Sequence, residues 1–373
     1  MNFGFTEEQD LLRQEVRKFL DDHCPMEEVR KIAETPEGFS RDLWKRIAEL
    51  GWTGLAIDEA HGGAGLGWVD LVVLLEETGR SLFPAPLLAT TVAAAAIAEG
   101  GSEAQRARWL PGLAEGSTIG TLALVEAADR LDPEGIQLVG TGDDGGFRLD
   151  GEKRYVPDAG NADLLLVAFR DGGAGAGAEG VRLAGVPADA PGIHVENTPG
   201  MDLTKRLGNL RFDGVTVPAE NVLERAPLER IVDLATAAVT AEMIGAAEAA
   251  QSLTVSFAQE RIQFGKPIGQ FQGVKHPLAE MYVDVESFKS LLYYAAWALD
   301  ERHADAPRAV SMAKAYASDA FARIGIDGVQ LHGGVGYTWE YDVQLFLKRS
   351  KWARSMFGDA THHYERVASL GGL

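Results

Sequence analysis

Cysteine is nearly absent. Cys24 is the one thiol in 373 residues, which excludes an internal disulfide and a cysteine zinc cluster and suits a reducing cytoplasm. Net positive charge is lacking as well: 35 Lys and Arg face 55 Asp and Glu, for a formal charge of -20 and a pI near 4.8. Such a surface repels nucleic acid and anionic membranes, so any cationic site has to be local. Long apolar runs are missing too. The most apolar stretch, residues 90–98, is Ala-rich and far short of a membrane span. The opening MNFGFTEEQD shows no basic-then-apolar leader, and these absences together give a cytoplasmic protein as the expectation. The eight histidines form no HxxxH or HExxH pair, and no GxSxG elbow is present, so neither a metal site nor a serine hydrolase is expected.

What is present is a globular composition, 46% hydrophobic and 24% charged, long enough for two or three cored domains. The first third reads as helices. Thr6 and Gln9 make a capping box ahead of Leu12, Val16 and Phe19 at helical spacing, and a second helix runs from Ser40 through Leu43 and Ile47 to a stop at Gly51. Residues 69–78 and 85–110 continue in the same manner. From about Gly116 short β-rich runs take over, at 118–125, 146–149, 164–169 and 215–218, broken by Gly, Asp and Pro turns. The Gly- and Ala-rich stretch 172–180 reads as a flexible surface excursion. After Asn221 long helices return, over roughly 228–260, 273–303, 308–330 and 339–370. The expected fold class is α+β with three domains: N-terminal helices (1–116), a middle β domain (117–222) and a C-terminal four-helix bundle (223–373). No repeat and no nucleotide-binding βαβ unit appears, which excludes a Rossmann dehydrogenase.

Two segments carry chemistry. Residues 261–272, RIQFGKPIGQFQ, place Arg261, Gln263, Phe264, Phe271 and Gln272 around a Gly-Pro turn. A fixed guanidinium suits a diphosphate and amides suit adenosine, although a plain helix-connecting loop would read alike. Residues 330–338, QLHGGVGYT, set Gln330 before Gly333, Gly334 and Gly336, which would let a ligand approach the backbone closely. Together, an RxQFG...FQ block and a QxxGGxGYT block about 70 residues later resemble the acyl-CoA dehydrogenases, and the domain order extends that resemblance over nearly the whole chain.

The resemblance implies a homotetramer or dimer of dimers with FAD lying across a subunit interface. It implies that Arg261, Gln263, Phe264, Phe271, Gln272, Gln330, Gly333, Gly334 and Gly336 grip the ADP end of a neighbour's FAD. It also implies an acyl-CoA thioester as substrate and an electron-transfer flavoprotein as acceptor. Against the family pattern, three features are lost. The flavin loop, TEPGAGSD in the family, is here Val125-Glu-Ala-Ala-Asp-Arg-Leu-Asp132; the W-I-T flavin contact is Tyr155-Val156-Pro157, without hydroxyl or amide hydrogen. The count to the catalytic Glu lands on Phe357, and the alternative position on the first bundle helix is Ala235. Asp359 and Glu242 are the nearest spare carboxylates, each reached only by a shift of register, with surface or capping roles as the plainer reading, so no catalytic residue is assigned. The losses sit on one side of the site while the neighbour-directed motifs are intact. That pattern resembles the short partner subunits of actinobacterial heteromeric acyl-CoA dehydrogenases acting on steroid or other bulky thioesters, and the Gly336–Glu340 and Asp202–Arg206 runs point to the same branch. A self-sufficient homomer and a non-catalytic scaffold are the alternatives. Lys348, Arg349, Lys351 and Arg354 read either as a solvated basic face or as a phosphate contact.

Overall fold

The structure is a computed structural model describing residues 5–143, 145–174 and 177–373. The centre of the Gly/Ala-rich stretch, Gly175 and Ala176, lies outside the described residues. α1 (Glu7–His23) opens on the expected capping box, with Gln9 N donating to Thr6 Oγ1 and Thr6 N donating to Gln9 Oε1. α2 (Met26–Ala33) follows, and α3 (Arg41–Glu49) starts on the Ser40 cap and ends where Gly51 turns at φ 79°. α4 (Trp68–Arg80), α5 (Leu87–Gly100) and α6 (Glu103–Ala114) complete this region. α5 is buried nearly all round, so its apolar residues need no single face and the sequence shows no amphipathic period there.

The strands are β1 (Gly120–Ala123), β2 (Val139–Asp143), β3 (Gly146–Pro157), β4 (Leu164–Asp171), β5 (Val181–Pro187), β6 (Ile193–Thr198) and β7 (Leu207–Pro218). They form one sheet in the order β1-β4-β2-β3-β7-β6, with β5 added to β4; β1 and β2 run parallel to β4 and the other pairings are antiparallel. Leu149, Val156, Leu165, Val167, Phe169, Leu210, Phe212, Val215 and Val217 pack into its core. Periodicity does not single out β2 or β6, because Val-Gly-Thr-Gly-Asp and Ile-His-Val-Glu-Asn-Thr alternate too few apolar residues.

α7 (Leu228–Glu260) is followed by a hairpin of β8 (Ile262–Gln263) and β9 (Lys266–Pro267), then α8 (Gln272–Asp300) and α9 (Ala306–His332). The helix expected over 339–370 is two helices, α10 (Val343–Ser355) and α11 (Ala360–Leu370). The break is local chemistry: Phe357 and Gly358 take φ of 53° and 98°, and the Asp359 side chain caps α11 by accepting from His362 N at 2.9 Å. Thus the expected order of N-terminal helices, β domain and helical bundle is the order observed. By contact the chain divides into two compact units, one of the chain up to Lys31 with Trp68–Phe83 and Thr236–Leu373, the other of Ile32–Gly67 with Pro84–Ala235.

Candidate functional site

α7 runs 33 residues without a break and so projects the first motif from its end. The following hairpin pairs Ile262 with Pro267 and Gln263 with Lys266, leaving Phe264 and Gly265 as a two-residue loop with φ of 53° and 78°, the geometry of a type I′ turn. Phe264 stands 92% exposed, edge-on to Phe271 at 6.1 Å, and Lys266 Nζ lies 4.4 Å over the Phe271 ring. The Arg261 carbonyl accepts from Ile268 N at 2.9 Å and so fixes the loop. Its guanidinium, like the amides of Gln263 and Gln272, is exposed. Among the described residues these three side chains make no hydrogen bond to one another and have no ion-pair partner.

The second motif leaves the end of α9. Gln330 is exposed, and Gly333 adopts φ 65°, ψ -145°, a conformation essentially restricted to glycine. No atom lies within 4 Å of where a Cβ would sit on Gly333 or Gly334, whereas a Cβ on Gly336 would meet Val329 O at 2.7 Å. The turn therefore folds back on α9 at Gly336 and presents bare backbone at Gly333 and Gly334. Phe257, in the last turn of α7, stacks on His332 with ring centroids 4.3 Å apart, so the hairpin and the glycine turn leave adjoining helix ends. His332 Nδ1 donates to Gly328 O at 2.7 Å, and burial pushes its pKa below the ordinary value. It is the neutral tautomer that serves as a stacking plate. Phe257 and His332 were not singled out from sequence; the available signal was an aromatic four residues before Arg261 and a ring directly before Gly-Gly.

These groups fit the ADP half of a dinucleotide: an exposed guanidinium, exposed amides, and glycine backbone open to close approach. The stretches matching the family's flavin-ring contacts do not fit. Glu126 accepts from Gln137 N, Leu138 N and the buried Lys153 Nζ, the last at 2.6 Å. Burial holds that ammonium down to about 8 against the raising effect of Glu126. Asp132 caps a 3₁₀ turn at Gly135 N and binds the Arg130 guanidinium through both oxygens. Glu126 and Asp132 are thus taken up by partners within the fold, and Arg130 and Leu131 stand where the family pattern has small residues. Tyr155 sits at φ 53°; Pro157 pairs with Leu207, and its carbonyl accepts from Thr121 Oγ1 at 2.6 Å. Nothing at 157 can donate.

The candidate base positions are equally occupied. Phe357 and Ala235 are buried; Asp359 caps α11; Glu242 lies buried 3.6 Å from Arg349 Nη1. Both spare carboxylates therefore serve the fold. The basic run of α10 is likewise dispersed, with Arg349 fully buried, Lys348 Nζ 5.0 Å over Trp339, and Arg354 paired with Asp319 at 3.1 Å. Arg30 covers Trp339 at 5.0 Å and bonds Asp342 Oδ1 at 2.7 Å. The Asp202–Arg206 run also has a structural use: Asp202 Oδ1 accepts from Thr204 N and Oγ1, and Arg206 donates to Ala33 O and Thr35 O at the end of α2.

A helical region, a β sheet and a helical bundle whose long helices end in a guanidinium, amides and a glycine turn define the build of a flavin-dependent dehydrogenase. Models of the N-terminal, middle and C-terminal domains of acyl-CoA dehydrogenase match residues 6–117, 121–215 and 228–369, and the chain belongs to that family of FAD-dependent oxidoreductases. It is 31% identical to the acyl-CoA dehydrogenase IpdE2 of Mycolicibacterium smegmatis, over 97% of this chain and 98% of that protein. Among solved structures it resembles a variant of the Tcur3481-Tcur3483 steroid ACAD (TM-score 0.89, 35% identity, 98% of both chains). It also resembles the ChsE4-ChsE5 complex from Mycobacterium tuberculosis (TM-score 0.91, 28% identity, 100% of this chain and 99% of that one). Among the described residues no helix is long and apolar enough to cross a membrane, and no cluster of three or more His, Cys, Asp or Glu is arranged to hold a metal.

Proposed function

We propose that this chain is one subunit of a heteromeric acyl-CoA dehydrogenase that converts a bulky, steroid-type CoA thioester to its 2-enoyl form, and that it completes the ADP end of FAD seated in a partner subunit. The carrying observation is a contrast within one chain. Arg261, Gln263 and Gln272 stand exposed and the Gly333–Gly334 backbone is open to close approach, while Glu126 and Asp132 are taken up by partners within the fold and Pro157 has no donor to offer a flavin ring. Bound FAD supplies the hydride acceptor; this chain supplies hold and orientation through residues of its C-terminal stretch, 223–373. Phe357 and Ala235 supply no base, so the α-proton goes to a group on the partner, and an electron-transfer flavoprotein takes the electrons onward. The two-protein steroid ACAD and the ChsE4-ChsE5 complex, both similar along the whole chain, support the assignment.

The test is co-expression with any acyl-CoA dehydrogenase encoded beside it. Flavin and turnover are expected only in the complex, and Arg261→Ala should weaken FAD retention there by about 100-fold, the roughly 3 kcal/mol that a charge-assisted contact to a phosphate carries. Flavin and turnover in the lone chain would make it a self-sufficient homomer. Unchanged FAD in the Arg261→Ala complex would make it a scaffold.

A further inference from the structure

One imidazole beside the glycine turn is held more tightly, and left less satisfied, than packing alone asks for. His332 closes α9 and is 4% exposed. Its Nδ1 donates to Gly328 O at 2.7 Å, Phe257 stacks on its face at 4.3 Å, and the Tyr341 ring meets it nearly edge-on at 5.9 Å. These contacts come from three places: the last turn of α9, the end of α7 and the segment that leads into α10. Gly328 lies where the three pack closest, since a Cβ there would meet Val343 Cγ2 at 3.0 Å and Thr254 Oγ1 at 3.3 Å. With Nδ1 committed as the donor, Nε2 carries the lone pair. Among the described residues it has no hydrogen-bond partner, and it is buried. A second proton would therefore place an N–H where no acceptor stands.

The place of the ring decides what depends on it. Gly333 and Gly334 follow directly, with open space at both Cβ positions, and Gly336 returns to the histidine, where a Cβ would come within 2.9 Å of His332 Cβ. The turn thus leaves from His332 and folds back against it. We infer that His332 is a positioning residue: its neutral ring, pinned by Gly328, Phe257 and Tyr341, holds the 333–336 backbone in the shape that receives the ADP end of the cofactor, and a proton on Nε2 releases it. The inference rests on the proposed partner-subunit role and deepens it, tying the hold on FAD to the protonation of one side chain. Burial disfavours the charged ring, against the pull of the Gly328 carbonyl. The ionisable groups on the elements packed round it do not relieve that cost. Tyr341 offers its ring edge, and Arg30 is engaged with the Tyr341 carbonyl and with Asp342 Oδ1. Glu260, Arg261 and Glu340 stand exposed, and Asp327 is half-buried on α9. Among the described residues none of them bonds the imidazole.

Flavin retention by the complex, followed by ultrafiltration between pH 5.5 and 8, tests it. The closed turn keeps the neutral ring, so the native complex should lose FAD as pH falls below the ordinary imidazole value of about 6.5, by up to about tenfold per unit. His332→Phe keeps a ring that can stack but takes up no proton. It should hold FAD about threefold less firmly at pH 8, for the lost bond to Gly328 O, and should show no further acid loss. A native profile that stays level, or an acid loss that His332→Phe reproduces, overturns the inference. Should the variant not fold, hydrogen exchange by the native lone chain decides. Protection of residues 333–337, corrected for intrinsic rates, should drop at pH 5.5 relative to pH 7.5 while that of residues 310–325 holds; equal protection overturns the inference as well. Arg261→Ala in the complex reads the partner model separately. Unchanged FAD there rejects the ADP-end role, whereas a loss there beside a level native pH profile rejects only the part given to His332.

Discussion

The hairpin and glycine turn at the ends of α7 and α9 and the Val125–Asp132 loop of the β domain are both irregular, both polar, and both matched to cofactor contacts in the family. They differ in where their bonding capacity goes. In the β domain Glu126 is consumed by two backbone amides and a buried lysine, and Asp132 by Arg130 and a turn amide. At the helix ends Arg261, Gln263 and Gln272 point outward and Phe264 is almost wholly exposed at a strained φ. A loop that satisfies itself is finished by folding. A loop that leaves a guanidinium, amides and an aromatic ring uncovered has groups still open to a ligand, and it is on this contrast that the proposed cofactor-completing role rests.

The sharpest way to break that contrast is to unsatisfy the finished loop. Lys153→Met strands Glu126 in the β domain, and should cost about 3–5 kcal/mol in urea unfolding, with Lys153→Met/Glu126→Gln recovering part of it. Flavin content of the folded complex should not change; a specific loss of FAD would give the Val125–Asp132 loop a ligand role after all.

A smaller effect tests how firmly the bundle is packed away from that open rim, toward the start of α7, where Thr236 and His363 meet the Phe357 carbonyl. Burial first, then the nearby Lys314 charge, pushes His363 down to about 3. Below its ordinary pKa the unfolded chain takes up a proton that the folded chain refuses, so stability falls as pH drops from about 6.5 toward 3, by up to roughly 1.4 kcal/mol per unit. Lys314, pushed to about 7 by burial, works in the alkaline range with the same sign: the unfolded chain holds the extra proton between about 7 and 10.5, and stability rises with pH there. His363→Gln should flatten the acid limb relative to the native chain in melts from pH 4 to 7, and an unchanged limb would mean that the imidazole is not buried neutral.

Much of this was legible in the residues. The Thr6–Gln9 box and the Ser40 cap each fixed a helix start, and the apolar run of residues 164–169 fixed the buried strand β4, because each signal is local. The glycine turn was legible because Gly-Gly-Val-Gly leaves so little side chain to misread. What sequence concealed is set by distant partners. Gly358 and Asp359 mark the break within 339–370 locally, but nothing local tells that a lysine some forty residues upstream, on α9, binds the last carbonyls of α10. Arg349 reads as surface charge until Glu242 is seen beside it, buried in α7. His332 reads as a stray histidine until Phe257 is seen against its face.

The finest test separates binding from folding at one atom. Gly334 has open space where a Cβ would go and no positive φ, whereas Gly336 would drive its Cβ into Val329 O. Gly334→Ala should therefore leave the melt of the isolated chain within about 0.5 kcal/mol, the usual range for a surface change. In the complex the added methyl meets whatever approaches that backbone. A loss of about tenfold in FAD retention, roughly 1.4 kcal/mol, with no loss of stability would show a ligand resting against Gly334. Equal FAD content in the two complexes would mean that the backbone is bare because nothing comes there, and the helix-end region would then differ from the β-domain loop in exposure alone.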